Sequence, residues 1–266
     1  MQYDVAIIGG GPGGATTGAL IKKYNPELRV GIFEREVFPR DHIGESLLPP
    51  ISLILEEMGC WHDVERAGFP VKLGATYTWG KTVDPWIFGF LPESQIPADR
   101  TRPGELEGWR RITAFQVDRS VYDLILLEQA RKLGCEVHQP VKVSQIHREG
   151  DRVSGLELDS GERITARYYI DASGNAAILR KAMGVTVDVP TLLKNVAFWD
   201  YYENPDWAGD EDAEFTRINI RSLPFGWLWF IRIFPTRASV GLVCNAEYYK
   251  NCGKRPQELF NEAIAS

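Results

Sequence analysis

The chain opens with an apolar run that never alternates with polar residues, Val5-Ala6-Ile7-Ile8. Continuous runs of this kind mark a parallel strand covered on both faces, so a strand is predicted over Tyr3 to Ile8. Five glycines and a proline follow, Gly9-Gly10-Gly11-Pro12-Gly13-Gly14, and lead into a helical stretch to Tyr24 that Asn25-Pro26 breaks. A second apolar run, Val30-Gly31-Ile32-Phe33, ends at the acid Glu34. Strand, turn, helix and strand together read as one βαβ unit.

Further along, Pro50 to Met58 has helical spacing, and Gly59 suits its C-terminal stop. Residues 75–110 are aromatic and interrupted by Pro and Gly, which predicts short strands and a loop. Ser120 and Asp123 have the spacing of a capping box ahead of a long helix. The apolar stripe of that helix, Tyr122, Leu126, Ala130 and Leu133, ends at Gly134. Three short strands come next, Val141 to Arg148, Arg152 to Leu158 and Glu162 to Ala166, joined by Glu149-Gly150-Asp151 and Asp159-Ser160-Gly161 as a β-meander. Tyr168 to Asp171 reads as a further strand entering the loop Ala172-Ser173-Gly174-Asn175. The pattern then turns to aromatic-rich strands at Val196 to Tyr202, Phe215 to Ile220, Trp227 to Phe234 and Ala238 to Cys244. A last helix, Pro256 to Ala265, carries proline in its first turn. The predicted fold class is α/β: a Rossmann-like nucleotide-binding domain with a β-meander over 1–75 and 110–190, and a β-sheet-rich substrate domain over 76–109 and 191–266.

Composition narrows the class. The 266 residues are 44% hydrophobic and 25% charged, the balance of an ordinary globular chain. A formal net charge of −6 argues against an unaided grip on nucleic acid or an anionic membrane. No apolar run is long enough for a membrane span, and no charged-then-apolar leader follows Met1. Cys60, Cys135, Cys244 and Cys252 are scattered without a C-x-x-C pair, and the four histidines show no metal-ligand spacing. These features predict a cytoplasmic enzyme with reduced cysteines and no metal.

The chemistry begins at Gly9-x-Gly11-x-x-Gly14, which lies between a buried strand and a helix. In that setting Gly9 permits the tight turn, Gly11 lets the backbone approach a pyrophosphate, and Gly14 allows close helix–strand packing. The helix N-terminus, Gly13 included, supplies N–H groups and the positive end of a dipole. Glu34 ends the second strand 20 residues after Gly14, placed to accept a hydrogen bond from a ribose hydroxyl. The same charge would repel a 2′-phosphate, so FAD and NAD remain as candidates.

The segment Phe38-Pro39-Arg40-Asp41-His42-Ile43-Gly44-Glu45-Ser46-Leu47-Leu48-Pro49 resembles the flavin-dependent halogenases, especially their phenol and pyrrole branch. Further matches fall in family order. Phe69-Pro70-Val71-Lys72-Leu73-Gly74-Ala75 is similar to the stretch with the family's active-site lysine, and Gln116-Val117-Asp118-Arg119 to one whose arginine helps hold FAD. Asp171-Ala172-Ser173-Gly174 is similar to a later flavin-contacting loop, and Gly226-Trp227-Leu228-Trp229-Phe230-Ile231 to the family's G-W-x-W-x-I-P motif. Two departures stand out: Arg232 replaces the proline of that motif, and the family's later Gly-Asp segment has no counterpart beyond Gly209-Asp210. The resemblance therefore implies a chain shortened at its C-terminus.

It also implies a function: FADH2 from a separate flavin reductase, O2 and chloride or bromide yield hypohalous acid, which halogenates a small electron-rich aromatic ring, free or tethered to a carrier protein. Lys72 is then the catalytic residue. The implied cofactor contacts are Gly9, Gly11, Gly13, Gly14, Glu34, Arg35, Arg40, Glu45, Ser46, Arg119, Val143, Asp171 and Gly174. Trp227 and Trp229, two apart on a strand, would form a partition between flavin and substrate, or simply pack the core. Trp79, Trp86, Phe88 and Phe90 would line a substrate pocket or pack locally. Rival readings are an aromatic monooxygenase oxidising NAD(P)H directly, a prenyl-chain reductase, and a truncated non-catalytic flavin-binding remnant.

Overall fold

The computed structural model describes residues 1–80, 82, 84–189, 194–205 and 215–265. The Gly209-Asp210 pair lies outside them. The chain divides into two compact units, one formed by 1–43, 53–64 and 119–187, the other by 44–52, 65–118 and 188–266.

In chain order the strands are β1 (Gln2–Ile8), β2 (Val30–Phe33), β3 (Val71–Thr78), β4 (Trp86–Gly89), β5 (Ala114–Phe115), β6 (Glu136–His138), β7 (Val143–Glu149), β8 (Arg152–Leu158), β9 (Arg163–Asp171), β10 (Asn195–Glu203), β11 (Phe215–Leu223), β12 (Gly226–Phe234) and β13 (Arg237–Asn245). The helices are α1 (Pro12–Tyr24), α2 (Ile51–Met58), α3 (Trp61–Arg66), α4 (Trp109–Ile112), α5 (Arg119–Lys132), α6 (Ile178–Ala182), α7 (Ala246–Asn251) and α8 (Pro256–Ala265).

The first unit is built on a sheet of order β6-β2-β1-β9-β8-β7. Strand β1 pairs in parallel with β2 and β9, and β2 in parallel with β6. The unbroken apolar run follows from having two faces to bury. Ala6 and Ile8 join Phe33, Val143, Leu156, Leu158 and Ile164 in one cluster. Alternation turns Ile7 to the other face, where it too is fully buried. On α1, a side chain at Gly18 would press on the Ile32 and Ile7 side chains and the Cys135 sulfur. Each fully buried Ile here stabilises the fold by roughly 1.5–3 kcal/mol.

The stretches read as separate strands at Glu162 to Ala166 and Tyr168 to Asp171 form one strand, β9. Its start pairs antiparallel with β8 and its remainder runs parallel to β1, from Gln2↔Thr165 to Ile8↔Asp171. One strand thus closes the meander and continues the parallel sheet.

The second unit holds a sheet of order β10-β13-β12-β11-β3-β4, with β5 beside β3. Leu228, Val240 and Leu242 of β12 and β13 pack with Leu259, Phe260 and Ala263 on one face of α8. The units divide at different places from the partition expected at 75, 110 and 190. Strand β3 pairs in parallel with β11, Lys72 opposite Thr216, and antiparallel with β5, so residues 71–75 and 114–115 belong to the second sheet. Strand β12 also runs through Arg232 to Phe234, with a register shift against β13 between those two residues.

Candidate functional site

Two sites can be built, one in each unit. In the first, Gly9 follows β1 with φ +107°, a conformation that favours glycine, and a Cβ there would lie 2.3 Å from the Ala172 carbonyl oxygen. A Cβ on Gly14 would lie 1.9 Å from the Gly9 oxygen. These two glycines are packing requirements. Gly11 and Gly13 differ: a Cβ would meet only Arg40 Nη2, at 3.5 Å, from Gly11 and nothing within 4 Å from Gly13. Helix α1 starts at Pro12 with no side-chain cap and no acid in its first turn. Its N-terminal N–H groups and dipole are therefore left for an anion.

The cleft over this turn has a volume of about 480 Å³. It is lined by Gly9, Gly11, Gly13, Glu34, Arg35, Arg40, Arg119, Val143, Asp171 and Gly174 of the expected cofactor residues, and by His42, Lys142 and Ser173 as well. Glu34 is buried and accepts hydrogen bonds from the Gly10 N–H at 2.6 Å and the Glu36 N–H at 2.8 Å, so it braces the glycine turn. Asp171 accepts from the Ser173 hydroxyl and N–H, the Leu179 N–H at 2.9 Å and the Arg180 N–H at 3.2 Å, tying β9 to the start of α6. Burial opposes its charge, but those hydrogen bonds outweigh it and hold the carboxyl below its ordinary range. Arg35 is exposed and pairs with Glu36 at 3.2 Å. Arg119 and Arg40 both contact the fully buried Asp123. Asp123 was read in the sequence only as a helix-start residue. A turn with open glycine faces, an uncapped helix start and two guanidinium groups fits the diphosphate of a dinucleotide.

The second unit holds Lys72, Glu45, Ser46, Trp227 and Trp229: Lys72 meets the Glu45–Leu47 segment, while Trp229 lies further along the sheet, two strands across, where Ser239 links it to Glu45. Lys72 is 4% exposed on β3 and donates a 2.8 Å hydrogen bond to the Leu47 carbonyl oxygen. Its Nζ stands 5.5 Å from the Phe90 ring centroid. Burial pulls the Lys72 pKa down to about 8. The Glu45-Ser46-Leu47 segment is fixed by its backbone: Val117 donates to the Glu45 oxygen at 2.8 Å and Leu47 to the Phe115 oxygen at 3.1 Å. The Glu45 side chain is buried, which pushes its carboxyl up, while hydrogen bonds from Ser239 and Tyr201 pull it down less strongly. Neither Glu45 Oε1 nor Ser46 Oγ has a hydrogen-bond partner among the described residues.

The Trp227 and Trp229 rings lie 6.0 Å apart at 52°. Trp229 is buried across Gly241, and its indole N–H donates to Ser239 Oγ at 3.1 Å. Sequence reasoning missed Ser239 and Tyr201, which reach Glu45 from neighbouring strands and carry no motif. Trp79, Trp86 and Phe88 are about half exposed, whereas Phe90 stands beside Lys72.

The tryptophan halogenase family profile matches residues 4–101 and 98–255. The chain belongs to the tryptophan halogenase family. The 1H-pyrrole-2-carbonyl peptidyl-carrier protein chlorinase of Pseudomonas fluorescens is 31% identical over 99% of this chain and 60% of its own length. The tryptophan 2-halogenase of Chondromyces crocatus is 30% identical over 98% of this chain and 47% of its own length. Among solved structures, the myxobacterial chondrochloren halogenase, an FAD-dependent halogenase, superposes with a TM-score of 0.82 at 31% identity, over 97% of this chain and 56% of that one. The chain thus spans about half the length of the halogenases it matches. Family membership identifies the sheet of the first unit as a Rossmann-type FAD-binding fold. No described helix is long and apolar enough to cross a membrane.

Proposed function

We propose that this halogenase-family chain installs chlorine or bromine on an electron-rich ring of pyrrole or phenol type, with Lys72 as the catalytic residue. The observation that carries the reading is the Lys72 amine itself, buried to 4% exposure, with a pKa lowered to about 8 by desolvation. A lysine that is partly neutral near pH 8 can hydrogen-bond hypohalous acid or take up its halogen, whereas a fully solvated ammonium cannot act as a nucleophile. Reduced FAD, when bound, supplies hypohalous acid from O2 and halide. The protein's own groups bind and orient. The Gly9–Gly14 turn and the α1 N-terminus hold the diphosphate, Glu34 adds a ribose hydroxyl to its two N–H donors, and Val143 and the Asp171–Gly174 loop flank the nucleotide. Glu45 Oε1 and Ser46 Oγ offer further hydrogen bonds to a ligand, and Trp227 and Trp229 form a partition between flavin and substrate.

The 31%-identical Pseudomonas relative acts on a carrier-bound pyrrole, which supports a pyrrole-type ring as substrate, presented free or on a carrier protein. A separate flavin reductase supplies FADH2. Four free cysteines, three of them buried, support a cytoplasmic setting.

The test is turnover. The chain is incubated with a flavin reductase, NADH, FAD, O2, bromide and a pyrrole or phenol, and products are read by mass spectrometry. Brominated product is expected, and NADH- and substrate-driven hydroxylation without halogen would assign the chain to monooxygenase chemistry instead.

A further inference from the structure

The two arginines of the first cleft share one carboxylate. Arg119 Nε donates to Asp123 Oδ1 at 2.6 Å and Arg119 Nη2 to Asp123 Oδ2 at 2.9 Å, while Arg40 Nη1 reaches the same Oδ2 at 3.1 Å. Arg119 Nη1 is held in turn by the Ile43 carbonyl oxygen at 2.6 Å. Asp123 is fully buried and is not among the residues lining the cleft, whereas Arg40 and Arg119 both line it beside Gly11, Pro12 and Gly13. Arg40 Nη2 stands 3.5 Å from the point a Cβ on Gly11 would occupy, at the glycine whose cleft face is otherwise open. Glu36, on the rim, takes Arg40 Nε at 3.3 Å and is half exposed. The positive charge left by two guanidinium groups on one buried carboxylate is partly offset by Glu36, and the Arg40 fork, held at Nη1 by Asp123 and at Nε by Glu36, points its Nη2 in a fixed direction toward Gly11.

We infer that Asp123 is a positioning residue: by gripping Arg40 and Arg119 from behind, it aims both guanidinium groups at the diphosphate of a dinucleotide flavin and so selects FAD over FMN. The inference rests on the FAD reading proposed above. It makes a prediction of sign that charge alone reverses. Removing the Asp123 carboxylate makes the cleft more positive, so a purely electrostatic role would tighten an anionic ligand. Loss of aim loosens it.

The experiment is titration of FAD and of FMN, followed by flavin fluorescence, against the full chain and its Asp123→Asn, Arg40→Gln and doubly substituted forms. Thermal melting of each flavin-free protein checks its fold. Wild type should bind FAD in preference to FMN. Asp123→Asn should lose about tenfold or more in FAD affinity, the size of one charge-assisted hydrogen bond, and lose part of the FAD-to-FMN preference. In the Arg40→Gln background the same substitution should cost clearly less, because part of its effect acts through Arg40. Unchanged or tighter FAD binding by Asp123→Asn overturns the inference and leaves the FAD reading intact, as does an equal loss in both backgrounds. Failure of the wild type to bind FAD removes the FAD reading, and the inference with it. If Asp123→Asn does not fold, Arg40→Lys serves: it keeps the charge but not the fork, so about a tenfold loss supports the inference and wild-type affinity overturns it.

Discussion

Lys72 Nζ donates a 2.8 Å hydrogen bond to the carbonyl oxygen of Leu47. This bond joins the lysine of β3 to the Gly44-Glu45-Ser46-Leu47 segment, itself held by Phe115 and Val117. The G-E-S-x-x-P segment and the lysine strand are thus neighbours because β5 brings them together. Burial strips the ammonium of water that one carbonyl acceptor does not replace, so its environment favours the neutral amine.

That imbalance has a pH signature. The folded Lys72 pKa, about 8, lies below its ordinary 10.5, so folding penalises the ammonium. The penalty is present in full below pH 8, falls as pH rises toward 10.5, and vanishes above it, where both states are neutral. Wild type should therefore gain on Lys72→Met by about 3 kcal/mol between those limits. Denaturant melts of both proteins at pH 7.5 and pH 10 check this, and a difference independent of pH would show that Lys72 is not desolvated.

Gly241 makes room for Trp229. A Cβ on Gly241 would stand 2.1 Å from the indole, closer than any packing tolerates. Gly241→Ala should displace the ring from Ser239, lower stability by about 1–3 kcal/mol and shift tryptophan emission. A folded variant with wild-type emission and melting temperature would contradict the close packing of the indole on Gly241.

Glu34 braces the glycine turn before any ligand arrives, through the Gly10 and Glu36 N–H groups. Glu34→Ala leaves both donors unpaired and should weaken FAD by about 1–3 kcal/mol, with a smaller loss of stability. Isothermal titration against FAD reads the first and thermal melting the second. Equal affinity in the variant would remove Glu34 from the nucleotide site.

Thiol reactivity gives an independent check on packing. Burial pushes Cys60 up to about 12 and Cys135 to about 11, and raises Cys244 as well. Cys252 is half-buried. Under native conditions at pH 8, iodoacetamide followed by peptide mass spectrometry should label Cys252 first, and early labelling of Cys60 would contradict the core as described.

Local physics was enough to read the first βαβ unit, because an apolar run with no alternation, a glycine turn and a strand-end acid are all written in adjacent residues. Strand β9 was harder. Arg167 and Tyr168 interrupt its pattern because they are exposed between less exposed neighbours, and nothing local announces that one strand serves two partners. The boundary between the units was hidden for a similar reason: β3 belongs with β11, whose residues lie more than 140 positions away. Within the sites, motif residues were legible and their supports were not. Arg119 and Asp123 stand four apart on α5, but Arg40 reaches Asp123 across 83 residues. Ser239 joins Trp229 only through the β12–β13 pairing.

Lys72→Ala is the variant that tests the central claim most directly. Halogenated product and free hypohalous acid are to be measured side by side, in wild type and variant, under a common supply of FADH2, O2 and bromide. Product should fall at least about a hundredfold in the variant, the scale of losing a positioned catalytic group, while hypohalous acid is still released. Undiminished halogenation by the variant would contradict the assignment of Lys72 as the residue that delivers the halogen.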